Sequence, residues 1–219
     1  MSGRSALVVS LRTGIVLVTF TVIFTALMAL AYRSTKDIIA ASAEAEKMRL
    51  VNEVLPQKEY DNALLSDFVE LPPAEALGTD GPTKLFRARK GGQPAALIVE
   101  TVAPDGYSGN IHILVAMRNN GEVAGVRVTQ HKETPGLGDY IDIRKDKNKA
   151  RPWITQFTGA VYDKAAPEQW RVKKYGGRFD QVTGATISAR AVTNAVGRAL
   201  SFTLDNRAKL FELPTKAKF

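Results

Sequence analysis

The pattern of hydrophobic and polar positions changes character several times along the chain. From Thr13 to Tyr32 it does not alternate: TGIVLVTFTVIFTALMALAY carries no charge between Arg12 and Arg33. About 20 apolar residues in a helix cross a hydrocarbon core of roughly 30 Å. The stretch therefore predicts a transmembrane helix over 13–32, in contact with membrane lipid, after a short N-terminal segment, 1–12. Ala29-Leu30-Ala31 offers the small-x-small site of a cleaved signal peptide. Signal h-regions run only about 7–15 residues, so an uncleaved anchor is the expected reading. Arg4 and Arg12 precede the span and Arg33 and Lys36 follow it, so the positive-inside rule does not orient it.

Beyond Ser34 the period becomes helical. Ile38, Ala41, Ala45, Met48 and Val51 recur every three or four residues, predicting a helix that ends before Pro56. ELPPAEALGTDGP (70–82) reads as loop from its prolines and glycines, closing a juxtamembrane and connecting segment over 33–82. Strand patterns follow. KLFRAR (84–89) and PAALIVET (94–101) flank Gly91-Gly92, a hairpin signal. GNIHILVAM (109–117) and the run containing Val126 and Val128 flank Asn120-Gly121, a type I′ turn pair. PWITQF (152–157) suggests a short helix and QWRVKK (169–174) one more strand. The last clear element starts near Ser188, with Val192, Ala195, Val196, Ala199, Leu200 and Leu204 on one face. Strands flanked by helices at both ends predict an α+β fold, with an N-terminal transmembrane helix followed by a soluble domain whose antiparallel sheet is flanked by helices. That domain is placed at 83–207, with a C-terminal tail at 208–219.

Composition narrows the function classes. The chain has 219 residues, 45% of them hydrophobic, enough to bury a core. It has no cysteine, which excludes disulfides, thiolate zinc sites and cysteine-ligated clusters. The net charge of +8 is spread along the chain without a basic helix or aromatic ladder, so nucleic acid is not an expected partner. The basic run RKDKNKAR (144–151) reads as a solvated loop, or as a face for anionic lipid or an acidic partner. His131 lies near Glu133 and Asp139 without metal-ligand spacing. Ser108 leaves a hydrolase open, though no nucleophile elbow appears.

The strongest chemical signal is FDQVTGATISARAVTNAV (179–196), where a loop runs straight into the last helix. Ser188 is a suitable N-cap for that helix. Free N–H groups and the positive helix end converge just before it, a place that suits a phosphate. Gly184 permits close backbone approach, Ala185 adds little bulk, and Thr183 and Thr186 supply hydroxyls. A plain turn and cap would explain Thr-Gly-Ala-Thr alone. Asp180 completes D-x-x-T-G-A-T, a pattern that chance produces about once in a few thousand chains of this length. No Gly-Lys-Ser/Thr accompanies it, so it is not a nucleotide-hydrolysing P-loop.

DQVTGAT resembles the flavinylation motif D-x-x-(S/T)-G-A-T of FMN-binding domains. PDGYSGNI (104–111) and HKETPGLGD (131–139) resemble further signatures of one branch, the G subunits of Rnf electron-transport complexes. A relative of that branch, the C subunit of the sodium-pumping NADH:quinone oxidoreductase, shares the motif and E-T-P-G-L-G. The resemblance implies an FMN-binding domain with FMN joined through its phosphate to Thr186. The partners it implies are the other membrane and soluble Rnf subunits and a flavin transferase that uses FAD. It implies electron flow between ferredoxin and NAD coupled to ion transport across a bacterial inner membrane, with the N-terminus cytoplasmic and the domain periplasmic. The chain would act as an electron-transfer subunit, not catalytic alone. Serine and threonine hydroxyls are weak nucleophiles without a base, and neither histidine nor lysine adjoins Thr186, so the chain is not expected to flavinylate itself. Asp180 and the glycine would serve as address for the transferase. For the isoalloxazine ring, Leu137 offers either a ring face or a core-packing residue, Glu133 and Thr134 either ring-edge hydrogen bonds or a fixed turn, and Tyr107 a stacking surface. Trp153 reads as core. Two alternatives remain open: a non-redox assembly subunit with Thr186 unmodified, and a freestanding exported FMN carrier.

Overall fold

A computed structural model describes residues 3–219, with side chains from Val8 onward; Met1 and Ser2, the start of segment 1–12, lie outside the described residues. Helix α1 runs Gly3–Val54. Two compact units are distinguished, Met1–Lys47 and Met48–Phe219. In the first, the apolar run is helical and its side chains from Val8 to Ile39 are exposed, as suits a helix surrounded by lipid. Its most apolar stretch has a mean hydropathy of 2.4.

The second unit is built on an antiparallel meander, ordered β1 to β5 across the sheet. The strands are β1 (Phe68–Leu71), β2 (Thr83–Lys90), β3 (Gln93–Gly106), β4 (Gly109–Arg118) and β5 (Val123–Gln130). Period-two alternation along each strand sends successive side chains to opposite faces of the sheet. On one face Leu97, Val99, Ile113, Val115 and Val126 pack against helix α2 (Thr186–Glu212) through Ala189, Val192, Val196 and Leu200. The other face buries Ala96, Ile98, Leu114 and Ala116 with Val51, Val54 and Leu55, the last turn of α1 and its exit. The predicted α+β architecture is the observed one.

Several local expectations are corrected. The loop expected at 70–82 contains the end of β1 and a 3₁₀ turn, Glu75–Leu77. The short run Phe68–Leu71 becomes a strand by pairing antiparallel with β2, Phe68 opposite Phe86 and Leu71 opposite Thr83, and the C-terminus covers its outer edge: Lys216 N–H donates to Phe68 O at 2.7 Å and Phe219 N–H to Glu70 O at 2.9 Å. Residues 169–174 form no strand. They hold parts of two 3₁₀ turns and a single bridge, Val172 to Phe179. At the β4–β5 connection, Gly121 alone has positive φ and its N–H donates to Arg118 O, so the turn is a three-residue loop and not the type I′ pair.

The C-terminal end of α2 is held by a buried cation. Arg87, on β2, donates to Leu210 O at 3.0 Å and Leu213 O at 2.5 Å, carbonyls that the helix leaves without partners. Arg89 donates to Phe211 O at 3.0 Å. Asp67 pairs with both guanidinium groups. Burial opposes the Asp67 charge, yet the two arginines outweigh it and hold its carboxyl below the usual range. One end of α2 is thereby anchored, which fixes where its other end, beside Thr-Gly-Ala-Thr, lies on the sheet.

Candidate functional site

α2 begins three residues earlier than the capping pattern predicts, its N-cap at Ala185 and not Ser188. Its first residue is Thr186, Ala185 sits at the N-cap without a side-chain cap bond, and Ser188 is a buried residue within the first turn. The expected capping role of Ser188 is therefore corrected. Its hydroxyl is drawn inward by a stronger acceptor, the Glu133 carboxylate. The other Glu133 oxygen accepts from Ser108 N–H at 2.9 Å. Glu133 is only 4% exposed. One carboxylate thus ties three distant segments together: the β3–β4 turn, the stretch after β5, and the start of α2.

Those segments enclose a cleft of about 250 Å³ lined by Tyr107, Glu133, Thr134, Leu137, Gly138, Gly184, Ala185, Ile187 and Ser188. Tyr107 stands at its rim on the β3–β4 turn, 68% exposed. Leu137 stands at another rim, 58% exposed, after a Thr134-Pro135-Gly136 turn closed by Leu137 N–H donating to Thr134 O at 3.1 Å. Large apolar side chains left in water beside a polar floor are a feature of ligand-binding clefts. Gly138 lies against the floor: a Cβ there would fall 2.6 Å from Ser188 Oγ and 2.9 Å from Glu133 Oε2.

The motif itself forms a tight turn. Ala185 N–H donates to Val182 O at 3.1 Å, and Gly184, third in the turn, takes φ +86°. That position favours glycine in a type II turn. Val182, Thr183 and Gly184 are exposed and Thr186 is half-buried. Thr183, Thr186 and Asp180 do not line the cleft, whereas Gly184, Ala185 and Ser188 do. Asp180 faces a second cleft on the far side of the turn, with Tyr140, Asn148, Arg151, Trp153 and Gln156. Its carboxylate is 62% exposed and pairs with Lys173 Nζ at 2.5 Å.

Two residues behind the loop carry no motif signal. The Tyr140 hydroxyl accepts from Val182 N–H at 3.3 Å and donates to Ala185 O at 3.1 Å. Gln156 Oε1 accepts from Asp180 N–H at 2.7 Å. Trp153, read from sequence as core, is indeed buried, and its indole N–H donates to Asp180 O at 2.6 Å. Burial pushes the Tyr140 phenol up to about 12, the Val182 N–H bond working in the opposite direction. The only sequence hint of Tyr140 is its place directly after the stretch 131–139.

Residues 106–201, which span all three segments, match the FMN-binding domain family, and residues 6–54 match the RnfG N-terminal region. The G subunit of the ion-translocating oxidoreductase complex of Shewanella baltica is 43% identical over 204 residues, covering 93% of this chain and 94% of its own length. This chain belongs to that family of G subunits. The member from Vibrio cholerae is 39% identical over 203 residues, with 93% and 94% covered, and one from Aliivibrio fischeri is 40% identical over 203 residues with the same coverage. The FMN-binding match begins at Gly106, at the foot of the Tyr107 turn, and ends within α2. It therefore takes in the whole lining of the Tyr107–Leu137 cleft.

Proposed function

We propose that the chain is a single-pass membrane flavoprotein subunit that carries FMN as a phosphoester on Thr186 and relays electrons within an ion-translocating oxidoreductase complex. One observation carries this reading: an exposed D-x-x-T-G-A-T turn opens α2 directly beside an apolar-rimmed cleft built from the two other signature segments.

The residues fit such a group. Thr186 begins a long helix whose N-cap makes no side-chain bond, so backbone N–H groups and the positive helix end remain for a phosphodiester's negative charge. Tyr107 and Leu137 offer apolar surface to a flat ring, Thr134 closes the turn that carries Leu137, and Glu133, tied to Ser108 and Ser188, lines the same cleft with a polar group. Thr183, Gly184, Ala185 and Ser188 complete the surroundings of the attachment point. Bound FMN supplies reversible electron transfer, and linkage through its phosphate leaves the ring chemically unaltered.

Attachment requires a partner enzyme. The Thr186 hydroxyl oxygen bonds to the flavin-side phosphorus of FAD, the P–O bond to the AMP half breaks, and AMP leaves. The hydroxyl proton goes to a base of the transferase, since no histidine or lysine adjoins Thr186 in sequence. The exposed Asp180 carboxylate suits an address read by that enzyme. The helix at 13–32 anchors the chain in a bacterial inner membrane, with the domain on the periplasmic side and the electron path running between ferredoxin and NAD through neighbouring subunits. The named role of the relatives favours a complex subunit over a freestanding carrier.

Intact-mass and peptide analysis of protein matured in its own host tests this. The tryptic peptide 179–190 should carry the mass of FMN less water, and Thr186→Ala should remove both the increment and the yellow colour while the domain stays folded. A bare Thr186 in mature protein, or covalent flavin persisting in Thr186→Ala, overturns the assignment.

A further inference from the structure

An exposed acceptor loop poses a physical difficulty. A loop that is free to move must be ordered before its hydroxyl can be aligned with a reacting phosphorus, and that ordering lowers the rate. The 182–185 turn is exposed on three of its four residues, yet its backbone is held at both ends by one hydroxyl. A phenol donates once and accepts up to twice, so Tyr140 satisfies Val182 N–H and Ala185 O together. Its ring is buried and stands edge-on to Trp153, with centroids 5.5 Å apart and planes at 89°. Trp153 in turn holds Asp180 O, and Gln156 holds Asp180 N–H. Both ends of the motif are therefore fastened through backbone atoms to a single aromatic layer. The Asp180 carboxylate and the Thr183 hydroxyl, on exposed residues, and the hydroxyl of the half-buried Thr186 take no part in that fastening.

We infer that Tyr140 is a positioning residue for flavin attachment: its hydroxyl fixes the 182–185 turn so that Thr186 Oγ1 is presented ready-aligned to the flavin-transferring enzyme. This rests on Thr186 being the acceptor. Tyr140 touches neither the reacting hydroxyl nor the phosphate; it acts only through the backbone of the turn. Tyr140→Phe keeps the ring and its packing on Trp153 and removes both hydrogen bonds at once.

The experiment uses the full-length chain in detergent with the purified transferase, FAD and magnesium, following covalent mass gain over time. Tyr140→Phe is compared with wild type and with Ile98→Val, a core substitution on the opposite face of the sheet that lowers stability without touching the loop. Two ordinary hydrogen bonds lost from the turn predict a drop in kcat/KM for attachment of about tenfold in Tyr140→Phe. Ile98→Val should match wild type, and given excess transferase Tyr140→Phe should approach full occupancy. Amide exchange at Val182 should be faster in Tyr140→Phe before any flavin is added. Attachment to Tyr140→Phe at the wild-type rate overturns the positioning role and leaves the Thr186 assignment standing. Equal slowing in Ile98→Val also overturns it, because stability alone would then explain the effect. If wild type gains no mass, the acceptor assignment fails, and the positioning role with it.

Discussion

The Ser188 hydroxyl donates to the buried carboxylate of Glu133, although 55 positions separate them in sequence. With Ser108 N–H on the other oxygen, this bond closes the floor of the cleft. Removing one partner of a hydrogen bond to a buried charge costs about 1.5–3 kcal/mol. Ser188→Ala and Glu133→Ala should each lower unfolding free energy by that order in urea titrations. Because the two side chains share one interaction, the double variant should cost less than the sum of the singles.

Gly138 depends on the same contact. A methyl group placed there meets Ser188 Oγ and Glu133 Oε2 inside van der Waals distance. Gly138→Ala should destabilise the domain by roughly 1–3 kcal/mol through overpacking. Combining it with Ser188→Ala, which removes the nearest atom, should recover part of the lost midpoint. Two midpoint shifts that simply add would count against this contact.

Asp67 and Arg87 make acid sensitivity predictable. The folded-state carboxyl of Asp67 is held below its ordinary value, so its contribution to stability is complete above the unfolded value near 3.9 and disappears as pH falls through the lower folded value. Asp67→Asn should flatten that acid limb of a melting-temperature profile. It should also destabilise at neutral pH, by up to about 3–5 kcal/mol, because the buried Arg87 loses its counter-charge. An unchanged acid limb would assign the effect to other carboxylates.

Tyr140 predicts the alkaline limb. Its folded value near 12 lies above the unfolded value near 10, so the stability it contributes is intact below pH 10 and is lost as pH rises from about 10 toward 12. Difference absorbance of phenolate should show one tyrosine ionising near 12 in wild type and missing in Tyr140→Phe. Ionisation of Tyr140 near 10, the value of a free tyrosine, would contradict the buried hydroxyl bridge.

Much of the fold was legible because it is written in local periods. The charge-free run from Thr13, the alternation at Ile111, Ile113 and Val115, and the helical spacing from Val192 to Leu200 each reflect which side of one element meets water or lipid. The motif at Asp180 to Thr186 was legible for another reason: its residue types are rare in combination. The edge strand Phe68–Leu71 was not, because what makes it a strand is its ladder with β2, Phe68 opposite Phe86, supported on its outer side by residues 216–219, about 150 positions away. Gln169 to Lys174 alternates like a strand but finds only one bridging partner.

The sequence by itself determined that the chain has a span-length apolar helix, an antiparallel α+β domain, a D-x-x-T-G-A-T loop leading into the last helix, and the family to which these belong. Tertiary structure alone decided that Ser188 turns inward to Glu133 instead of capping α2. It also decided that three signature segments share one cleft, and that Tyr140 and Trp153 grip the motif from behind. The reason is physical: periodicity and composition report each residue's exchange between water and apolar surroundings. Hydrogen bonds between distant side chains depend on where the whole fold brings their atoms, and no local pattern encodes that.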